Sequence, residues 1–314
     1  MMIRLRLFGV IVTASLATAT WAQVGTPLLG YLPAGGYLLP VNGIPASASI
    51  APAINFGGQF IQIAVSPHQD FALVSSADTG AVLLAYPDGT ATPITGLAAH
   101  PDRIAISPSG SAAVLWYASA RKLEIVFGLP ASPQVRDADT AFLGNGSGDV
   151  PAALAVSDDG AWGAGAWPTG VWAFSANTSR RLVSDRGYAL AFYSGRDDLA
   201  VATRSGIYSV TDIGGGATVS TLYSWQHAAT PAGLAISSDN QTLIMADRAG
   251  SIVTFNSATG ASNQRTCGCT PDGAIPMGGS VFRITNLTGS VFKVFDANSG
   301  NVFMVPLAPT GDPQ

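Results

Sequence analysis

The sequence predicts an all-β fold, a β-propeller of four-stranded antiparallel blades, with seven blades favoured over six. Three observations carry that prediction: a phrase that recurs about every 42 residues, short β-rich runs that are apolar on both faces, and a composition hostile to long helices. Of 314 residues, 47% are hydrophobic and only 11% charged, with 36 Gly and 20 Pro, and mean hydropathy is +0.32. Such a chain packs, which excludes a disordered or coiled-coil protein. Glu124 is the only glutamate, and Lys122 and Lys293 are the only lysines. Helices with Glu-to-Lys ladders therefore have no material.

Residues 1–22 read as a secretory signal peptide. Arg4 and Arg6 form a basic start, Leu7 to Val12 opens an apolar run, and Thr20-Trp21-Ala22 is a cleavage site. The alternative, an uncleaved anchor, needs roughly 20 apolar residues, and this run is shorter. No other segment is long enough to span, so no membrane span is expected after cleavage, and the compartment is secreted or periplasmic. Losing two arginines takes the formal charge from −4 to −6. The remaining basic residues are scattered, which argues against nucleic acid as a partner.

Residues 23–314 are expected to form one propeller domain. Within it, 23–60 is a closing or partial blade and 61–308 holds six repeats. The repeated phrase is an apolar run followed by a turn: Ile63-Ala64-Val65-Ser66, Ile104-Ala105-Ile106-Ser107, Leu154-Ala155-Val156-Ser157, Leu190-Ala191-Phe192-Tyr193 and Leu234-Ala235-Ile236-Ser237. The anchors Ser66, Ser107, Ser157, Tyr193 and Ser237 lie 41, 50, 36 and 44 residues apart, bracketing a four-stranded blade. A degenerate sixth copy begins near Gly273. Turns at Thr79-Gly80, Thr169-Gly170, Ser205-Gly206 and Ala249-Gly250 should join the second and third strands. Runs such as Val82 to Tyr86, Leu199 to Thr203 and Ile252 to Phe255 have strand length. Their apolar character on both faces fits sheets covered on both sides. Leu28 to Gly43 repeats the look of the last two strands, from Phe292 to Pro306, so it reads as blade material as well. The 292 residues left after cleavage, at about 42 per blade, favour seven.

The turn residues Ser66-Pro67, Ser107-Pro108-Ser109-Gly110, Ser157-Asp158-Asp159-Gly160 and Ser237-Ser238-Asp239, at this period, resemble the bacterial surface and periplasmic propellers of the YVTN, lactonase-like and TolB-like type. The resemblance covers residues 60 to 260 and reports architecture, with little bearing on activity. WD-repeat signatures are missing.

No complete catalytic set is legible. Ser157 to Trp162 resembles one Asp-box of a sialidase-like propeller, and Arg180, Arg181, Arg196, Arg204, Arg248 and Arg283 could supply guanidiniums. The sole glutamate, however, sits in a strand-like run. His68, His100 and His227 are not spaced as ligand pairs, and Asp158-Asp159 and Asp197-Asp198 lack the alternate-position pattern of a Ca²⁺ loop. No cofactor and no metal site are expected. Cys267-Gly268-Cys269 either bridges across a tight glycine turn or stays reduced. Trp162, Trp167 and Trp172 make one blade unusually aromatic: they stack a ligand, or fill gaps left by Gly163 and Gly165, and packing is the favoured reading.

The expected function is a non-enzymatic binding platform for a protein or glycan in the bacterial cell envelope. Its interaction loop lies between Pro130 and Pro151, and the binding residues are Asn145, Asp149, Trp167 and Trp172. The alternative is a lactonase-like hydrolase or lyase with its site at the central funnel, and a third reading is a subunit of an envelope assembly.

Overall fold

A computed structural model describes residues 27–143, 149–225 and 229–307. Among them lie seven antiparallel sheets and almost no helix. Blade 1 contains β1 (Leu28–Ala34), β2 (Tyr37–Asn42) and β3 (Ser49–Ile50). Blade 2 contains β4 (Phe60–Val65), β5 (Ala72–Ser76), β6 (Val82–Ala85) and β7 (Ala91–Pro93). Blade 3 is β8 (Arg103–Ile106), β9 (Ala112–Tyr117), β10 (Lys122–Phe127) and β11 (Gln134–Asp137). Blade 4 is β12 (Ala153–Val156), β13 (Gly163–Trp167), β14 (Gly170–Phe174) and β15 (Ser179–Val183). Blade 5 is β16 (Gly187–Phe192), β17 (Leu199–Thr203), β18 (Gly206–Thr211) and β19 (Thr218–Ser224). Blade 6 is β20 (Pro231–Ile236), β21 (Thr242–Asp247), β22 (Ser251–Asn256) and β23 (Ser262–Thr266). Blade 7 is β24 (Ile275–Gly278), β25 (Val281–Arg283), β26 (Val291–Asp296) and β27 (Asn301–Pro306). The favoured count of seven is the one observed.

Seven hydrophobic clusters hold these sheets together, one between each pair of neighbouring blades. The strand period of two explains how one strand serves two of them. In β9, Ala113, Leu115 and Tyr117 pack towards blade 2, while Ala112, Val114 and Trp116 pack towards blade 4. Both faces are consequently apolar, and Leu115, Leu123 and Ile125 are fully buried. Each such side chain contributes about 1.5–3 kcal/mol through burial.

The repeated apolar phrase is the innermost strand of blades 2 to 6, and in blades 2, 3, 4 and 6 its serine latches the turn that follows. Ser157 Oγ accepts from the Trp162 amide (3.0 Å) and donates to Asp159 (2.7 Å). Ser237 Oγ accepts from the Thr242 amide (2.9 Å) and donates to Asp239 (2.5 Å), and Ser107 Oγ accepts from the Ala112 amide (3.0 Å). A hydroxyl that both accepts and donates satisfies the tight turn without help from another element.

Blade 1 differs in direction. A four-stranded blade returns the chain to the end from which it started, whereas three strands deliver it to the opposite end. To feed β4 at the proper end, β1 must run against the six other inner strands, and the contacts show that it does. Gly36 O, just past the end of β1, accepts from the Phe60 amide at the start of β4 (3.0 Å). Earlier along the chain, midway through β1, the Tyr31 amide donates to Gln69, which follows the end of β4 (2.8 Å). Among the described residues, the ring closes without strand exchange inside a sheet. Leu32, Val41 and Ile50 of blade 1 pack on Met277, Phe292 and Val305 of blade 7, and Ile50 forms an isolated parallel bridge with Leu307.

Candidate functional site

The two ends of the ring are built differently. At one end the turns from first to second strand in blades 2, 3, 4 and 6 share one geometry, in which the amide three residues after the serine donates back to the serine carbonyl: Gln69, Gly110, Gly160 and Asn240. All four have left-handed backbone, with φ from +61° to +76°. Glycine adopts this without cost, whereas Gln69 and Asn240 pay a steric penalty. Both offset it by bonding neighbouring blades. Asn240 accepts from the Ser194 amide (2.8 Å) and donates to the Ser194 carbonyl (2.9 Å). Buried Gln69 accepts from Tyr31 and donates to the Pro276 carbonyl (3.1 Å), joining blades 2, 1 and 7. Asp158 accepts from the Ser109 amide of blade 3 and the Gly195 amide of blade 5, each at 2.7 Å. Burial opposes its ionisation, yet these bonds hold its carboxyl below the ordinary carboxylate range.

The other end carries the connections between blades, and these vary in length from residues 184–186 to residues 138–152. It also carries the turns between second and third strands, including Thr79-Gly80, Thr169-Gly170, Ser205-Gly206 and Ala249-Gly250, as the sequence predicts. Asn145 lies outside the described residues. Asp149 is exposed beside them. From the stem of the same loop, Phe142 reaches the blade-4 aromatics: it stacks on Trp172 (5.0 Å, 21°) and meets Trp167 edge-on (5.0 Å, 71°). Trp167 is buried against Trp116. Gly165 makes room for it, since a Cβ there would strike the Trp167 ring, and Gly163 does the same for Phe174. Trp172 remains half-buried, its indole N–H donating to Thr169 (3.3 Å). Cys267 and Cys269 lie on this end too, at disulfide distance.

Between the two ends runs a central channel of about 630 Å³, walled by the inner strands of all seven blades. About half of its lining residues are Ala, Ile, Leu and Val, with Ala64, Ala105, Ala155, Ala191 and Ala235 contributed by successive repeats. The chargeable acid and base side chains on it are His68, Arg103, Asp272 and Arg283. His68 sits at the serine-turn end. Arg103 starts β8, and Arg283 pairs with Ile275 at the start of β24, so both belong to the variable end.

The structure brings Asp159, Asp197, Asp198 and Asp212 near one another. Burial first, and then the three neighbouring carboxylates, push the Asp197 carboxyl upward. Among the described residues, no three His, Cys, Asp or Glu side chains converge as metal ligands. Glu124 is a strand residue, as its sequence context suggests. It is buried and accepts from Lys122 Nζ (2.6 Å) and the Ala98 amide (3.0 Å). That pairing, followed by the contact with Asp137, raises the Lys122 ammonium above its ordinary value.

No protein-family model and no curated protein matches this sequence. Among solved structures, the chain is similar to that of a functionally unknown protein from Desulfotomaculum acetoxidans DSM 771. The TM-score is 0.60 and the identity 14%, covering 87% of this chain and 96% of that one. A likeness at that identity shows the propeller fold alone.

Proposed function

We propose that the chain is an exported, non-catalytic propeller whose variable end docks a protein or glycan in the bacterial cell envelope. The observation that carries this reading is the asymmetry of the ring. At one end four of the seven blades carry near-identical latched turns, three of them bonded to neighbouring blades, and the other end is a set of loops of unequal length. A rigid frame with one diversified face is the usual construction of a binding surface. The wall of the channel supports a non-catalytic reading: alanines and branched aliphatics line it where hydrolysis would need a convergent acid, base and nucleophile. The paired cysteines support export to an oxidising compartment.

The expected loop between Pro130 and Pro151 contains the strand β11 (Gln134–Asp137), so the inter-blade connection at residues 138–152 is the centre of the proposed surface, with Asp149 in it, Trp172 beside it and Trp167 as the buried support beneath. Deletion of residues 145–148 and the change Trp172→Ala should each weaken capture of envelope proteins or binding to an immobilised glycan panel by about tenfold or more. Thermal unfolding should stay within a few degrees of the parent protein. A deletion variant that binds the same partners with unchanged affinity contradicts the proposal.

A further inference from the structure

Arg283 is the anomaly of the channel. It is only 7% exposed, it lies on the channel wall, and its Nη1 is buried without a hydrogen-bond partner. No salt bridge neutralises it among the described residues. Asp272 is the one acid whose charge is felt there, and that carboxylate already accepts from the Asn286 amide (2.5 Å). Desolvating a guanidinium without a counter-ion is unfavourable, so a fold that keeps one on the wall of an open channel has left a cation facing a space that a ligand can enter. Arg103 stands at the same mouth on the far side of the ring and, among the described residues, its side chain makes no hydrogen bond or salt bridge to the wall; partial desolvation lowers its pKa as well. Elsewhere the protein is acidic, with a net charge of −4, which makes two arginines against one aspartate at this mouth a local reversal.

We propose that Arg283 anchors an anion site inside the channel, holding the carboxylate or phosphate oxygens of a small molecule, with Arg103 as the second cation at the mouth. A guanidinium is a fixed fork of donors that matches both kinds of oxyanion in a bidentate manner. The channel volume limits the ligand to a small molecule or the tip of a larger one. The site stands apart from the proposed docking loops and does not depend on them.

The test uses the whole mature protein, with succinate as the carboxylate probe and inorganic phosphate as the phosphate probe, each titrated by calorimetry and by thermal unfolding in a chloride-poor buffer. At least one probe should bind and raise Tm by about 2–4 °C when present well above its Kd; which of the two binds more tightly assigns the class of oxyanion. Arg283→Gln should abolish that shift or weaken binding by about tenfold or more, Arg103→Gln should weaken it less, and the neutral probe succinamide should give none. Because a variant at a buried site can fail to fold, side-chain NMR of arginine-labelled parent protein provides a second reading. The Nε–Hε resonance assigned to Arg283 should move on titration with the binding probe. An arginine that is merely hydrated predicts no heat, no Tm shift and no moving resonance with either probe, and that result overturns the proposal. So does binding that survives Arg283→Gln unchanged.

Discussion

Asp158 shows how one side chain can hold three blades together. Its two carboxylate oxygens accept amides from blades 3 and 5, while its own backbone carbonyl accepts from the Ser111 hydroxyl. The same geometry fixes its pH response. The carboxyl titrates below the 3.8 of an unperturbed aspartate, so its contribution to stability is fully present above that pH and is lost as pH falls through the lower, folded-state value. Asp158→Asn keeps the size but replaces one acceptor with a donor that faces an amide. With an allowance for partial exposure, the loss should be about 1–2 kcal/mol near neutral pH. It should shrink at acid pH, once the pH has fallen through that lower, folded-state value and the parent protein has itself lost the charge. Urea denaturation at both pH values measures this, and a variant equally destabilised at both would show that the charge is not the cause. At this scale the sequence was only partly legible. Asp158 stands out in Ser157-Asp158-Asp159-Gly160, but its partners are 49 and 37 residues away, and no local pattern reveals them. Arg283 was visible only as one of several scattered arginines, because the run that contains it says nothing about which face lines a channel.

Elements were far easier to read. The serine phrase marks the innermost strand because the turn after it has a local chemical requirement, met by a hydroxyl and an Asp within two residues. The turns between second and third strands were legible for a similar reason, since Gly80, Gly170 and Gly250 all have positive φ and need no distant partner. The aromatic cluster was legible as packing, because Gly163 and Gly165 lie across and beside the rings they admit. The left-handed turn position separates backbone cost from cross-blade gain. Asn240→Gly removes the steric cost and the bonds to Ser194 together, whereas Asn240→Ala removes the bonds and keeps the cost. Both should be less stable than the parent, with Ala worse than Gly by about 1 kcal/mol. Chemical denaturation of the two variants checks the order. If Asn240→Gly matches or exceeds the parent, the bonds between blades 5 and 6 do no more than offset the steric cost of the left-handed position.

At the scale of the whole molecule, period and length pointed to seven blades, and the seven inter-blade clusters bear that out. The reversal of β1 was not legible, because a run of apolar residues has no direction until its neighbours are known. It follows from counting strands: three in blade 1 require the first to run against the others. Gln69 then occupies the inner tier beside β1, and the apolar contact between blades 1 and 7 closes the ring. The functional proposals both rest on this closed, two-ended ring, since it gathers four matched turns at one end, leaves the other variable, and sets Arg283 and Arg103 at the variable mouth. A crystal structure of the protein is the most direct measurement of it. The account predicts seven sheets around one channel, β1 antiparallel to the six other inner strands, and the Arg283 guanidinium on the channel wall. Six sheets, a β1 that runs with the others, or an Arg283 turned to the outer surface would contradict it.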